Sequence, residues 1–185
     1  MIKSTKQQKY FLKTHLINLF GEANVKQEIS FEWMELPNDF MTSDHYLNII
    51  DKLTQYRDKT EFIKRYKPRC DFVIESMKLI IEYDEKQHFT MARKVALESY
   101  PKDIILYFDK QKWITLCDEI RAKDNDPHYR DEQRAFYDSI RDIQSSLNGY
   151  KLIRLKEFDI DWEKIDSEKI LKEVIENAKQ YEIQG

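Results

Sequence analysis

Only three glycines and four prolines punctuate the 185 residues of this chain. Sandwiches and barrels built from many hairpins need turn-forming residues roughly every eight to twelve positions. A supply this small excludes an all-β architecture of that kind. The glycines are Gly21, Gly149 and Gly185, and neither a P-loop nor a GxGxxG turn can be assembled from them. Aromatic residues make up 13% of the chain, which argues against disorder. The length suffices to bury a core without disulfide staples.

Helical spacing appears first over Lys6 to Phe20, where Leu12, Leu16, Leu19 and Phe20 form one stripe and Gly21 suits the helix C-terminus. Val25 to Trp33 reads as a short extended piece, and Met34 to Phe40 as a turn around Pro37. Ser43-Asp44 is expected to cap a helix running to about Tyr56, with Tyr46, Ile49, Ile50 and Leu53 inward. Cys70 to Glu75 and Leu79 to Asp84 are short apolar runs joined by Ser76-Met77-Lys78, and they read as strands. Met91 to Tyr100 is helical up to Pro101. Asp103 to Lys123 is read as helix, although Ile104 to Phe108 also fits a strand. After the break at Asp124-Asn125-Asp126-Pro127, Arg130 to Leu147 is a helix with Phe136, Ile140, Ile143 and Leu147 on its core stripe. Tyr150 to Leu155 is a strand and Ser167 to Gln180 a closing helix. The order predicts one mixed α/β domain over residues 1–185, with a helical part over about 1–60, a core over about 61–156 and a last helix over about 167–180.

The formal net charge is −3, so global charge gives no support to nucleic-acid binding. Local charge differs. Lys3, Lys6, Lys9 and Lys13 precede the first acid, Glu22, and Lys64, Arg65, Lys67 and Arg69 crowd together. An acidic body can carry a basic working face. Cys70 and Cys117 match no CxxC spacing and read as buried thiols. No stretch has the apolar length of a signal peptide core or a membrane span, so a cytoplasmic protein without membrane contact is expected.

One segment carries chemistry. Asp71 interrupts an apolar strand, and Glu82 and Asp84 close the next one. Alternate residues of a strand share a face, so Glu82, Asp84 and Lys86 point one way if the strand runs that far. Pairing the two strands would bring three carboxylates together. Such like charges repel, and a hard divalent cation with oxygen ligands is the usual resolution.

Asp71, Glu82-x-Asp84 and Gln87-His88 together resemble the PD-(D/E)XK nuclease superfamily, in its restriction-endonuclease-like and very-short-patch-repair-like branch. The later helix with Arg134 and Asp138, then Asn148-Gly149-Tyr150 and the strand Leu152 to Leu155, fits the second half of that core. The resemblance covers about Gln7 to Leu155. It implies a restriction-endonuclease-like mixed sheet core flanked by helices, and an endonuclease that hydrolyses DNA phosphodiesters with magnesium, for which manganese can substitute. Asp71, Glu82 and Asp84 would be the metal ligands. Asp71, Glu82, Asp84, Lys86, Gln87 and His88 would form the catalytic set, and Glu28 is a further candidate ligand. Lys64, Arg65, Lys67 and Arg69 would contact DNA. The sequence departs from the pattern at its lysine. With Glu82 as second acid, Asp84 stands in the lysine position; with Asp84 as second acid, Lys86 restores the spacing. Glu82 is preferred as ligand, because it then pairs with Asp71 deep in both strands.

The role implied is restriction or phage defence on double-stranded DNA, with a homodimer to cut both strands of a palindromic target. Repair nicking is the neighbouring role. The rivals are a non-catalytic nucleic-acid-binding or complex-forming protein on the same scaffold, and a subunit active only in a larger assembly. Other readings are bland. Arg134 and Asp138, at i and i+4, suggest a helix-surface salt bridge. Trp33, Trp113 and Trp162 suggest core aromatics, and His15, His45 and His128 have no assigned role.

Overall fold

The computed structural model describes residues 4–36, 38–58, 62–64, 66–124 and 126–178. Pro37, Arg65 and Gln180, each singled out in the sequence, lie outside the described residues. Helix α1 spans Thr5–Phe20 and starts one residue earlier than its apolar stripe suggests. Ser4 is the reason. Its hydroxyl accepts from the Gln7 N–H while the Gln7 side chain accepts from the Ser4 N–H, so two helix-end donors are satisfied reciprocally. Gly21, at φ 84°, ends the helix as expected.

Four strands follow: β1 Lys26–Ile29, β2 Cys70–Ile74, β3 Leu79–Asp84 and β4 Lys151–Lys156. They lie in the order β1-β2-β3-β4, antiparallel across the first two pairings and parallel across the third. The step Ser76-Met77-Lys78 makes the β2–β3 hairpin through a short 3-10 turn, with Lys78 left-handed at φ 47°. A parallel fourth strand requires a long crossover. Helices α3 Met91–Glu98, α4 Lys110–Ile120 and α5 Arg130–Leu147 supply it. Helix α2, Leu47–Arg57, precedes β2, and α6, Ser167–Ala178, closes the described chain. Among the described residues, no helix is long and apolar enough to cross a membrane.

The two faces of the sheet differ. Ile81 and Tyr83 of β3 and Ile153 and Leu155 of β4 pack on Leu12 and Leu16 of α1, Leu171 and Ile175 of α6, and Trp162. On the other face Val73, Ile80 and Leu152 meet Met34 in a smaller apolar patch. Beyond that patch the same face turns polar, with Glu82, Asp84 and Arg154 all buried beneath α5. A second core lies on the far side of α5, where Phe136 and Ile140 pack against Ile49 and Leu53 of α2 and Ala96 and Leu97 of α3.

Several boundaries moved. Ser43 and Asp44 do not cap α2 with a side chain; the Ser43 carbonyl accepts from Tyr46 and Leu47 instead, and the helix starts later. Residues 104–106 are neither helix nor strand, and α4 begins only at Lys110, after Asp109, whose carboxylate caps the Lys112 N–H. Leu147, placed on the core stripe of α5, is 50% exposed. Trp113 and Trp162 are core residues, whereas Trp33 is half-buried in a stack with Phe31 and Tyr150. Both cysteines are buried free thiols.

Candidate active site

The ladder between β2 and β3 runs from Ile74↔Leu79 to Phe72↔Ile81 and goes no further. Where Asp71 and Glu82 would face each other, side-chain carboxylates replace backbone carbonyls as acceptors. The Asp71 N–H donates to Glu82 Oε1 at 3.2 Å, and the Tyr83 N–H donates to Asp71 Oδ2 at 2.8 Å. The two acids are thus fixed by each other's strands. Asp71 keeps 17% of its side chain exposed, and Lys9 Nζ from α1 lies 2.9 Å from its second oxygen. On β1, Glu28 lies between Gln27 and Ile29, whose partners Phe72 and Cys70 flank Asp71; it is exposed, with φ 51°. That positive φ is uncommon for a non-glycine residue.

Glu82 is buried, with Oε2 3.5 Å from Arg141 Nε. Its burial, joined by the Asp71 and Asp84 carboxylates and only partly offset by Arg141 and Arg154, pushes its pKa up to about 8. Asp84 does not join the pair in the way the alternation of β3 suggested. Its Oδ1 takes Arg154 Nη1 at 2.6 Å and its Oδ2 takes the Trp113 indole N–H at 2.7 Å. Both oxygens are committed, so the expected convergence of three carboxylates becomes a convergence of two. Among the described residues, no three His, Cys, Asp or Glu side chains are grouped to hold a metal ion.

The partners of Asp84 belong to a buried ionic network that sequence reasoning missed. Arg154 binds Asp142 through Nε at 2.9 Å, and Arg93 binds Asp142 at 2.7 Å with Tyr100 beside it. Arg141 Nη1 lies 3.1 Å from Asp138 Oδ1 and its Nε donates to the Arg69 carbonyl. Three arginines here face four carboxylates, counting Glu82. Asp138 is fully buried rather than paired on the surface with Arg134, which bonds Asp124 instead. Burial pushes the Asp138 carboxyl upward, yet His88, Arg154 and Arg93 outweigh it and hold the group well below the usual carboxylate range. A signal did exist: Arg154 interrupts an apolar strand just as Asp71 does, and Asp138 and Asp142 are one helical turn apart.

β3 ends at Asp84, and Lys86–His88 form a 3-10 turn, so Lys86 is off the strand and exposed. Gln87 is exposed, its amide on Glu85 and its carbonyl accepting from Arg134. His88 turns inward. Its Nδ1 donates to Asp138 Oδ2 at 2.9 Å, which fixes the ring and leaves Nε2 for a surface groove. That groove holds about 460 Å³ and is also lined by Lys64, Arg130, Arg134 and Arg141, with no acid among its lining residues. Of the other residues expected to touch DNA, Lys67 pairs with Glu32 at 2.7 Å, and Arg69 is exposed.

A second depression, of about 460 Å³, lies between Glu85, Gln27 and the Lys6, Lys9 and Lys13 face of α1. A third, around the 85–88 turn, shares Thr5 and Glu85 with the second and has Lys86, Arg121, Lys123 and the acid Glu157 in its wall. Lys9, in the wall of the second depression, reaches Asp71, and Arg141, in the wall of the groove, reaches Glu82, so each acid touches a cation that lines a surface hollow. Comparison with family models, with curated proteins and with solved structures returned no match for this chain.

Proposed function

We propose that this chain is a divalent-metal-dependent endonuclease hydrolysing DNA phosphodiesters, built on a restriction-endonuclease-like core. The observation that carries the reading is the Asp71–Glu82 pair, two carboxylates fixed across opening strands, each in contact with a cation that lines a surface hollow. The strand order and the helical crossover to a parallel β4 agree with the core that the motif implies. Two carboxylates suit magnesium, which takes one or two from the protein and fills its shell with water and phosphate. The three-acid set expected from sequence does not fit, because Asp84 is spent on Arg154 and Trp113. The ion would supply an acidified water and neutralise phosphate charge.

The remaining roles fall to the chain itself. Arg134 and Arg141 line the groove beside the site and would attract phosphate by charge, their forks being held by the Gln87 carbonyl and Asp124 and by the Arg69 carbonyl and Asp138. His88, oriented by Asp138, presents Nε2 to the same groove and can pass a proton to or from a reacting oxygen. Lys86 would act as a binding residue in the wall of the third hollow, off the strand. The biological role proposed is restriction or phage defence in the cytoplasm.

One observation favours the non-catalytic rival. Lys9 places an ammonium on Asp71, where a bound ion would otherwise balance the charge. Incubating the protein with supercoiled plasmid in magnesium and in chelator decides between them. Magnesium-dependent nicking, lost in Asp71→Asn and Glu82→Gln, supports the hydrolase; retained nicking in either variant, or none in the wild type, refutes it.

A further inference from the structure

The groove beside His88 contains more than charge. Tyr66, from the segment before β2, and Tyr137 of α5 lie in its wall with ring centroids 4.8 Å apart and planes tilted by 34°. Tyr137 is half-buried and supports Tyr66 from behind, while Tyr66 is 45% exposed. An aromatic ring held by a second ring and still open to solvent offers a flat face at little entropic cost. Lys64 and Arg130 flank it, and among the described residues neither is held in a salt bridge, though Arg130 also acts on Asp124 at longer range. The same groove reaches His88 and Arg141, which touch Asp138 and Glu82.

We infer that this groove binds a single-stranded polynucleotide, with one base stacked on the outer face of Tyr66 and adjacent phosphates held by Lys64 and Arg130. The inference rests on the nucleic-acid reading of the neighbouring site and names its substrate class. The physical reason is access. In a duplex the faces of the bases are covered by their neighbours, so a stacking platform gains nothing from it, whereas an unpaired strand can offer a base to the ring and its backbone to the cations. Lys64 and Arg130, with no acid among the lining residues, also set a salt dependence. A groove of about 460 Å³ lies within the size range of small-ligand pockets and has room for one nucleotide unit.

The test is fluorescence anisotropy with a labelled oligo-dT, an oligo-U of equal length and a duplex of that length, using the full chain in chelator so that nothing is cut. The wild type is expected to bind the single strand more tightly than the duplex, and the oligo-U arm tells whether the sugar matters. Tyr66→Ala should weaken single-strand binding roughly 5- to 150-fold, the range of one lost base stack, and leave duplex binding unchanged. Tyr66→Phe keeps the ring and should restore wild-type affinity, which separates stacking from folding. Lys64→Ala with Arg130→Ala should weaken both ligands and lower the salt slope by about one to two. Tighter binding of the duplex, or a Tyr66→Ala loss shared equally by both ligands or absent from both, overturns the inference. Nicking in magnesium is scored separately: its absence alongside strand-selective binding sinks the hydrolase reading and leaves this groove assigned.

Discussion

Replacing Glu82 by Gln tests the electrostatic account of the site directly. Glu82 titrates near 8 in the folded chain against an ordinary 4.5, because it is buried beside Asp71. Between those values the folded chain holds one proton more than the unfolded chain. Stability must then fall as pH rises through that window and level off above about 8. One proton corresponds to about 1.4 kcal/mol per pH unit, and the whole window to about 5 kcal/mol. That is a large share of the roughly 5–15 kcal/mol that holds an ordinary domain together. Gln preserves the Oε1 acceptor that takes the Asp71 N–H, and Arg141 keeps Asp138 and the Arg69 carbonyl. The variant therefore loses the titration without losing the geometry. Urea unfolding of both proteins at intervals from pH 5 to pH 8 reads the effect as a difference, in which all shared titrations cancel. The variant should match the wild type near pH 5 and gain on it by about 1.4 kcal/mol per unit toward pH 8. A difference that stays flat over this range would mean that Glu82 is ionised in the fold throughout, and the argument from burial would fail.

Three further outcomes follow from the same geometry. Magnesium should raise the melting temperature of the wild type by mass action and leave Asp71→Asn and Glu82→Gln unmoved, as calorimetry with and without the ion would show. Asp84→Asn should cost about 3–5 kcal/mol of stability by leaving Arg154 short of charge in a buried network; a urea midpoint unchanged from wild type would return Asp84 to the site as a replaceable ligand. Lys67→Ala should leave oligonucleotide affinity and its salt slope unchanged because Lys67 faces Glu32, whereas Lys64→Ala should weaken binding; equal losses would restore the basic run as one contact surface.

The pairing of Asp71 with Glu82 was legible in the sequence because each sits in an apolar strand run, and a three-residue step between the runs forces the strands side by side. The same local signals carried α1, α5 and β4, whose periodicity is set by which side chains must leave water. The class of fold followed from them, since one hairpin pair, a crossover of helices and a last strand leave few arrangements of a mixed sheet.

What the sequence could not carry was the fate of each charge, since that depends on what the tertiary fold lays against it. Alternation put Asp84 on the face of Glu82, but Arg154 arrives from β4 and Trp113 from α4, each far along the chain, and together they occupy both its oxygens. Asp138 looked like a surface residue because it lies off the apolar stripe of α5. That rule assumes a helix with one buried side, and α5 has two, one on the helical core and one over the polar part of the sheet. Lys9 was one lysine among several on α1 until packing set it 2.9 Å from Asp71. Periodicity is a property of neighbours in the chain, so it fixes strands, helices and the faces they must hide. Charge pairing inside a domain joins residues 60 or 70 positions apart, as Lys9–Asp71 and Asp84–Arg154 do, and only the folded arrangement of elements decides it.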